Sequence, residues 1–415
     1  MSNPSGSELM KIARTCVERS LAKGAREAAA ASHETSEVTV KWRDGKPEEI
    51  KEATTRGVVV HLYVDDRYSS GTTSDLRPEA LAEFVDRAIA MARALVKDPL
   101  RSLADPSLYA GQAKVDLRLE DPGYEALTPE GRTGDARQIE EGARSVAGAK
   151  EIVSVTGTVA DRRGISCRFH SNGFSGEHRD TFFSASAEVT VRDAGGRRPD
   201  EWASAGARLR SERPAAADQG RLAAERALAR RGARKISSAV LPMAVENRCA
   251  ARLLQAMLGP LSGPSLQQKK SFLDGKLGVK IASGLLTWMD DPLLPGGLAS
   301  RLFDGEGLAT RKRPIIEAGV LRSYFIDTYY GKKLKLAPTS GGPSNATLTG
   351  GGGSRAQLLA LVGDGILVTD FLGGNSNDTT GEFSLGVMGF RVKKGQLAEP
   401  VTEMNISGNL ATFFE

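Results

Sequence analysis

Residues 242–273 read PMAVENRCAARLLQAMLGPLSGPSLQQKKSFL, and the rest of the chain is organised around them. Cys249, Leu253, Ala256 and Met257 fall at helical spacing, which predicts a helix over Pro242–Met257. Gly259-Pro260 ends it, and Ser262-Gly263-Pro264-Ser265 carries turn chemistry. A basic-aromatic segment, Lys269-Lys270-Ser271-Phe272, follows. A helix feeding a polar glycine loop is a natural place for a site, because loops on a rigid scaffold carry much of enzyme chemistry. This helix holds no His, however, and its one carboxylate is Glu246 at its start.

Beyond it the chain is rich in Gly and Pro: Asp290-Asp291-Pro292, Pro295-Gly296-Gly297 and Asp304-Gly305-Glu306-Gly307. Strand-like segments recur at 319–327, 365–371, 382–392 and 401–406. Thr349-Gly350-Gly351-Gly352-Gly353-Ser354 leads into a short helix, Arg355–Val362, with Ser354 as its cap. That glycine run lacks the Lys-Ser/Thr of a phosphate-binding loop. Residues 236–415 therefore read as a β-rich C-terminal domain with a buried helix.

Before it, two further units are expected. In residues 1–115 a helix over 7–23 places Leu9, Ile12, Ala13 and Cys16 on one face. Strands at Glu37–Trp42, Gly57–Val64 and Tyr68–Thr73 follow, with a turn at Asp44-Gly45, then a helix from about Arg77 to Val96. Lys97–Leu127 reads as a surface linker. In residues 116–235 a helix over Pro129–Ala149 precedes strands at Glu151–Val159, Ile165–Asn172 and Ser175–Arg192. Arg221–Lys235 is an Ala/Arg-rich helix whose charges form a solvated face. The fold class is α+β: an N-terminal helix–antiparallel sheet–helix unit, a middle α/β hairpin region and the β-rich C-terminal domain.

Composition narrows the function classes. A chain of 415 residues exceeds one comfortable core. A net charge of +5 is small for that length and demands neither nucleic acid nor membrane. The three cysteines, Cys16, Cys167 and Cys249, are odd in number and widely spaced, which argues for a reducing, cytoplasmic setting. No apolar run approaches the length needed to span a bilayer.

Motifs for catalysis are scarce. The four histidines are His33, His61, His170 and His178. If Asn172-Gly173 is a two-residue turn, Cys167 lies opposite His178 with His170 near by. That leaves a Cys/His/His zinc cluster, and a stand-alone hydrolase built on it, open beside a plain hairpin. No GxSxG is present, so a serine nucleophile has no motif. The acid pairs Asp290/Asp291 and Asp304/Glu306 sit beside Pro or Gly and read as turns. No catalytic residue and no metal ligand is assigned to this chain.

Three sets of residues carry a resemblance to a known family. The first is Arg56-Gly57-Val58-Val59-Val60 through Gly71-Thr72-Thr73-Ser74-Asp75-Leu76. The second is His170-Ser171-Asn172-Gly173-Phe174-Ser175-Gly176 with Thr181 and Ser184. The third spans the C-terminal half: Leu261-Ser262-Gly263, Lys270-Ser271-Phe272-Leu273, Asp290-Asp291-Pro292 and Phe303-Asp304-Gly305-Glu306-Gly307. It continues through Gly365–Gly374, Thr380-Gly381-Glu382-Phe383-Ser384 and Ile406-Ser407-Gly408-Asn409. Together these resemble the TldD/PmbA family over nearly the whole chain.

The resemblance implies a heterodimeric zinc peptidase that cuts unfolded or leader peptides in a closed chamber. One subunit, TldD-like, carries His-Glu-x-x-x-His on a helix: two ligands and a base that activates water. The other, TldE-like (PmbA-type), lacks the motif. With Glu246 on the motif Glu, Val245 and Ala250 occupy the His positions, and neither side chain can ligate a metal. The chain thus resembles the TldE-like subunit, with zinc expected in its partner and no cofactor of its own. The resemblance places a third ligand, a Cys, near the C-terminus of the catalytic subunit, and here no Cys follows Cys249. The chain ends at Glu415, short of where the resemblance expects it to end.

The loops Ser262–Phe272, Pro338–Asn345 and Gly373–Thr380 are the candidates for lining the chamber or touching the partner. Within them Ser262, Gly263, Ser265, Ser271, Phe272, Asn345, Gly373, Gly374 and Asn375 are singled out. Extended peptide would add to a sheet edge through backbone groups. A self-associating, peptide-binding scaffold with no peptidase partner is the alternative, and homodimerisation of the isolated chain stays open.

Overall fold

A computed structural model describes residues 6–415. The elements run in the order α1 (Gly6–Ala22), β1 (Glu27–Arg43), β2 (Lys46–Val64), β3 (Arg67–Thr73), α2 (Pro78–Arg93) and α3 (Pro129–Arg144). Next come β4 (Ile152–His170), β5 (Ser175–Val191), β6 (Asp200–Ala207), α4 (Ala216–Ala229), β7 (Met243–Val245) and α5 (Asn247–Leu258). They are followed by α6 (Gly263–Gln267), β8 (Thr287–Asp290), β9 (Arg313–Glu317), β10 (Val320–Leu321), α7 (Thr328–Leu334) and β11 (Ala346–Thr349). Last are α8 (Arg355–Val362), β12 (Gly365–Ser376), β13 (Glu382–Lys393), β14 (Gln396–Asn409) and α9 (Leu410–Phe413). The mixed α+β class with a β-rich C-terminal region is as expected.

Six strands in the order β3-β2-β1-β4-β5-β6 form one antiparallel sheet. β1 and β4 join its halves, from Ala29 opposite His170 to Arg43 opposite Thr156. Hydrogen bonding therefore runs unbroken across the 115/116 boundary. One face of this sheet carries both helix pairs. α1 and α2 pack on Ala28, Ala30, Val58, Val60 and Leu62 at one end. α3 and α4 pack on Val40, Trp42, Val159, Ala185 and Ala187 at the other. The α3–α4 contact is close because Gly142 and Gly220 sit in it: a Cβ on Gly220 would lie 1.8 Å from the Ile139 carbonyl oxygen.

Several expectations are corrected. Instead of breaking near Ala160–Gly164, β4 is continuous over 19 residues. Its Asp161-Arg162-Arg163-Gly164 stretch looks like a turn in sequence, but β1 and β5 hold it by ladders on both sides. The 97–127 segment is no mere surface linker: Leu103, Ala104, Leu117 and Leu119 are buried. The run at 319–327 is not one strand. A hairpin of β9 and β10 turns at Ala318-Gly319, both with positive φ, and the chain then enters α7. Ala at the first turn position hides that signal. Helix α4 starts and ends earlier than expected, burying Ala216, Gly220, Ala223, Ala224 and Ala227.

Behind the sheet, the C-terminal region holds two four-stranded sheets, β10-β9-β8-β11 and β14-β13-β12-β7. Between them lies a core that includes Trp288, Ile315, Ile316, Phe325, Leu261 and Leu266. α8 begins with a full capping box, in which Ser354 and Gln357 exchange side-chain and backbone bonds. The C-terminal loops dock on the far face of the six-stranded sheet. Phe303 stacks edge-on to Phe174 at 5.1 Å, and Gly176 leaves room for its ring. Among the described residues no helix is long and apolar enough to cross a membrane.

Candidate functional site

The stretch at 242–258 folds differently from its sequence pattern. Met243–Val245 form a short strand, parallel to β12 through Val245 opposite Val368. The helix begins only at Asn247, with Glu246 as its cap. Apolar residues at 243–245 satisfy the buried edge of β12 as well as they would a helix face, and the long-range ladder decides. Val245 therefore points from a strand and Ala250 from the first turn of a helix. Glu246 makes no side-chain cap bond; its carboxylate lies 2.7 Å from Arg248 Nε and 3.8 Å from Arg355 Nη2.

Around Glu246 the charges are compensated. Arg248 also lies 3.5 Å from Glu201, a residue 3% exposed that is 4.0 Å from Arg230. Burial pushes the Glu201 carboxyl above its usual range, against the pull of Arg248 and Arg230. Burial opposes the charge on Arg248 too, yet Glu246, Glu201 and Asp370 together hold its pKa above the ordinary guanidinium value. Zinc does not fit this place: Val245 and Ala250 offer no donor atom, and guanidiniums already occupy the Glu246 carboxylate.

The proposed Cys167/His170/His178 cluster does not form. The hairpin closes with His170 N–H donating to the Phe174 carbonyl at 3.0 Å, a loop one residue longer than a two-residue turn. The register shifts by one, so Cys167 pairs with Glu177 and Ser166 with His178. A one-residue slip moves a side chain to the other face of a strand. Cys167 faces α1, its thiol 3.2 Å from the Gly6 carbonyl oxygen and pushed up to about 11 by burial. His178 faces the opposite side, 4.0 Å from Asp180.

Two of the concavities along the six-stranded sheet lie on its opposite faces. The larger, about 980 Å³, is an open groove between the two helix pairs. Its arginines are paired: Arg56 with Glu34, Arg132 with Asp161 at 2.6 Å, and Arg163 with Glu125. The smaller, about 490 Å³, lies on the other face under the C-terminal loops. Its floor is a row across three strands, in which His61 and His170 both stand opposite Ala29. Tyr63 and Arg168 extend that floor, and Glu306, Asp304 and Ser340–Pro343 form the roof.

The titratable groups here are strongly perturbed, as is common where groups do chemistry or bind ligands. Burial, aided by the Arg168 charge, lowers His170 to about 3, and the same causes lower His61. Both shifts favour the neutral imidazole. Burial raises Glu306 to about 7, despite hydrogen bonds from Thr328 N–H and Oγ to its Oε2. Burial also raises Asp304, whose Oδ1 accepts from Glu306 and Leu308 N–H, and raises the phenols of Tyr63 and Tyr109. His61 Nδ1 meets the Tyr68 hydroxyl at 2.9 Å. Arg101 lies 3.4 Å from the Tyr329 ring centroid and 4.7 Å from that of Tyr68.

The residues singled out from sequence scatter around this cavity. Ser340–Pro343, within the 338–345 loop, form part of its rim. Asn345 stitches that loop from behind, its amide donating to the Asp291 carbonyl and Ser300 Oγ while Ala299 N–H donates to its Oδ1. Ser262 caps α6, its Oγ meeting Ser265 Oγ at 3.1 Å, and Gly263 packs under Tyr330. Ser271 is buried and donates to the Pro260 carbonyl at 2.7 Å. Phe272 N–H donates to the Asp378 carbonyl, so the 262–272 and 373–380 loops are neighbours. Gly373, Gly374 and Asn375 are exposed at the far end of β12. Sequence reasoning passed over His61, Tyr63, Arg101 and Arg168. The alternation along β2 and β4 was a signal that these side chains share a face, but not what would cover them.

Comparison with known proteins fits this architecture. A crystal structure from Bacteroides thetaiotaomicron, described as a candidate modulator of DNA gyrase, superposes with a TM-score of 0.93 at 38% identity, covering 97% of this chain and 91% of that one. TldE from Thermococcus kodakarensis shares the fold, with a TM-score of 0.83 at 19% identity over 97% of this chain and 92% of that one. Metalloprotease PmbA of Escherichia coli O157:H7 is 32% identical over 379 residues, 91% of this chain and 83% of the relative. A PmbA homolog of Haemophilus influenzae is 31% identical over 361 residues, 85% of this chain and 77% of the relative. Models of PmbA/TldA metallopeptidase domain 1, central domain and C-terminal domain match residues 28–92, 122–231 and 238–415. The chain belongs to the PmbA/TldA metallopeptidase family.

Proposed function

We propose that this chain is the TldE-like, PmbA-type subunit of a two-subunit zinc peptidase. It carries no catalytic residue of its own and helps to enclose a chamber in which a TldD-like partner cuts unfolded or leader peptides. The observation that carries the reading is the state of Glu246. Where the motif-bearing subunit would place a base between two zinc ligands, Glu246 is committed to Arg248 and Arg355. Val245 and Ala250 beside it have no donor atoms. The exposed end of β12 at Gly373–Asn375, beside the Ser262–Phe272 loop, is the proposed chamber or partner contact. The free thiols of Cys16, Cys167 and Cys249 accord with a reducing cytoplasm.

The test is co-purification with a His-Glu-x-x-x-His partner, followed by zinc analysis and cleavage of an unfolded peptide. The expected result is activity and zinc in the complex and neither in the isolated chain. Stoichiometric zinc with peptidase activity in the isolated chain overturns the proposal. A homodimer with no motif-bearing subunit, seen by native mass spectrometry from the source cell, points to a self-associating scaffold instead.

A further inference from the structure

We infer that the 490 Å³ cavity between the six-stranded sheet and the C-terminal loops binds the carboxylate end of an amino-acid-derived ligand, with Arg168 as its anchor. The ligand is a free amino acid or the C-terminus of a short peptide. The inference goes beyond the subunit role, and it concerns the isolated chain alone.

Three observations carry it. The first is an uncompensated cation. Among the described residues no carboxylate lies within ion-pair distance of the Arg168 guanidinium, and no hydrogen bond is made to it. Asp304 attracts it from farther away while its own Oδ1 is occupied by two backbone N–H groups. A guanidinium drawn partly out of water with no partner is costly, and its planar fork matches a carboxylate. The second is the set of polar atoms beside it. The Tyr63 hydroxyl and His61 Nε2 meet no protein partner among the described residues, and neither is sealed from solvent. Together with Arg168 they make a polar floor, with the small Ala29 leaving space between the strands.

The third is polarity across the cavity. The cations Arg168 and Arg101 belong to the sheet and the segment beside it, whereas the C-terminal loops bring three acids, Asp304, Glu306 and Asp327, against one cation, Arg301, which donates to the Gly342 and Pro343 carbonyls. Glu306 uses Oε2 for Thr328 and leaves Oε1 free. A ligand with a carboxylate at one end and N–H donors next to it satisfies both sides, and an amino acid or a peptide C-terminus has that pattern. A phosphate has no N–H donors to offer the free Glu306 Oε1. The volume falls in the range of about 300–1,000 Å³ usual for small-ligand sites.

The test is calorimetric titration of the full chain at pH 7 with Ala-Ala, its C-terminal amide, L-alanine and inorganic phosphate. The expected result is one site for the free acid, with the amide weaker by about tenfold or more. Arg168→Gln weakens the acid by a similar factor, and Arg168→Lys restores part of the loss. Alanine binding as tightly as Ala-Ala assigns the site to free amino acids, whereas tighter Ala-Ala binding assigns it to peptide ends. Equal binding of acid and amide, no acid binding at millimolar concentration, or preference for phosphate overturns the inference. So does a folded Arg168→Gln that binds acid as wild type does. Should Arg168→Gln fail to fold, the acid–amide comparison on the wild-type chain decides.

Discussion

Arg248 and Arg168 are both guanidiniums drawn partly out of water where the six-stranded sheet meets the C-terminal region. Arg248 lies 2.7 Å from Glu246 and 3.5 Å from Glu201, whereas Arg168 has no carboxylate at that range. The first place is filled by its own chain: Arg230, Arg248 and Arg355 each have a carboxylate within 4.0 Å. The second keeps a cavity, neutral imidazoles and an uncompensated charge. A matched cluster joins two parts of a fold, and an unmatched one beside a cavity is poised for something else. Buried charge by itself therefore does not mark a site; the missing partner does.

The comparison can be broken most directly at Glu201. Glu201→Ala leaves Arg230 and Arg248 short of a carboxylate and is expected to cost about 3–5 kcal/mol, read as a lower urea midpoint at unchanged slope. A loss below about 1 kcal/mol would show that both guanidiniums reach water and that the cluster is not closed. Arg248→Met is expected to cost somewhat less, about 2–3 kcal/mol, because Arg230 and Arg355 still face the two acids.

The cavity should respond to pH instead. Glu306 has a folded pKa raised to about 7 from 4.5, so the folded state holds the proton more tightly than the unfolded one. Its contribution is present at acid pH and is lost as pH rises through that window. His170 acts in the opposite sense: lowered to about 3 from 6.5, it favours the fold as pH rises from acid toward 6.5. Wild type is thus expected to lose on the order of 2 kcal/mol relative to Glu306→Gln between pH 5 and pH 8, measured by denaturation at each pH. Parallel profiles for the two proteins would remove Glu306 from the account. The smallest effect is expected at Arg168 itself. Arg168→Met removes an unpaired cation and should leave stability within about 1 kcal/mol of wild type. A much larger loss would mean that the distant pull of Asp304 is a real ion pair.

Much of this was legible in the sequence. The alternation at Glu37–Trp42 marked part of β1, the β-rich run at Gly57–Val64 marked the second half of β2, Pro78 and Pro129 marked helix starts, and Ser354 marked a cap. What was lost was lost for local reasons. Asp161–Gly164 carries turn residues inside a strand, Ala318 occupies a turn position that usually favours Gly or Asn, and the hairpin at Ser171–Gly173 has one residue more than Asn-Gly suggests. That extra residue alone dissolves the supposed Cys/His/His cluster.

The sequence by itself determined the α+β class and the family, and it placed Val245 and Ala250, which carry no donor atoms, beside Glu246. Those follow from residue type and spacing along one chain. Only the tertiary structure decided that Val245 belongs to a strand, that Cys167 and His178 face apart, and that Arg168 lies beneath a roof from residues 301–306 and 340–343. The reason is physical: register depends on a turn's geometry, and compensation of a buried charge depends on groups more than a hundred residues away. Neither is written in the local pattern.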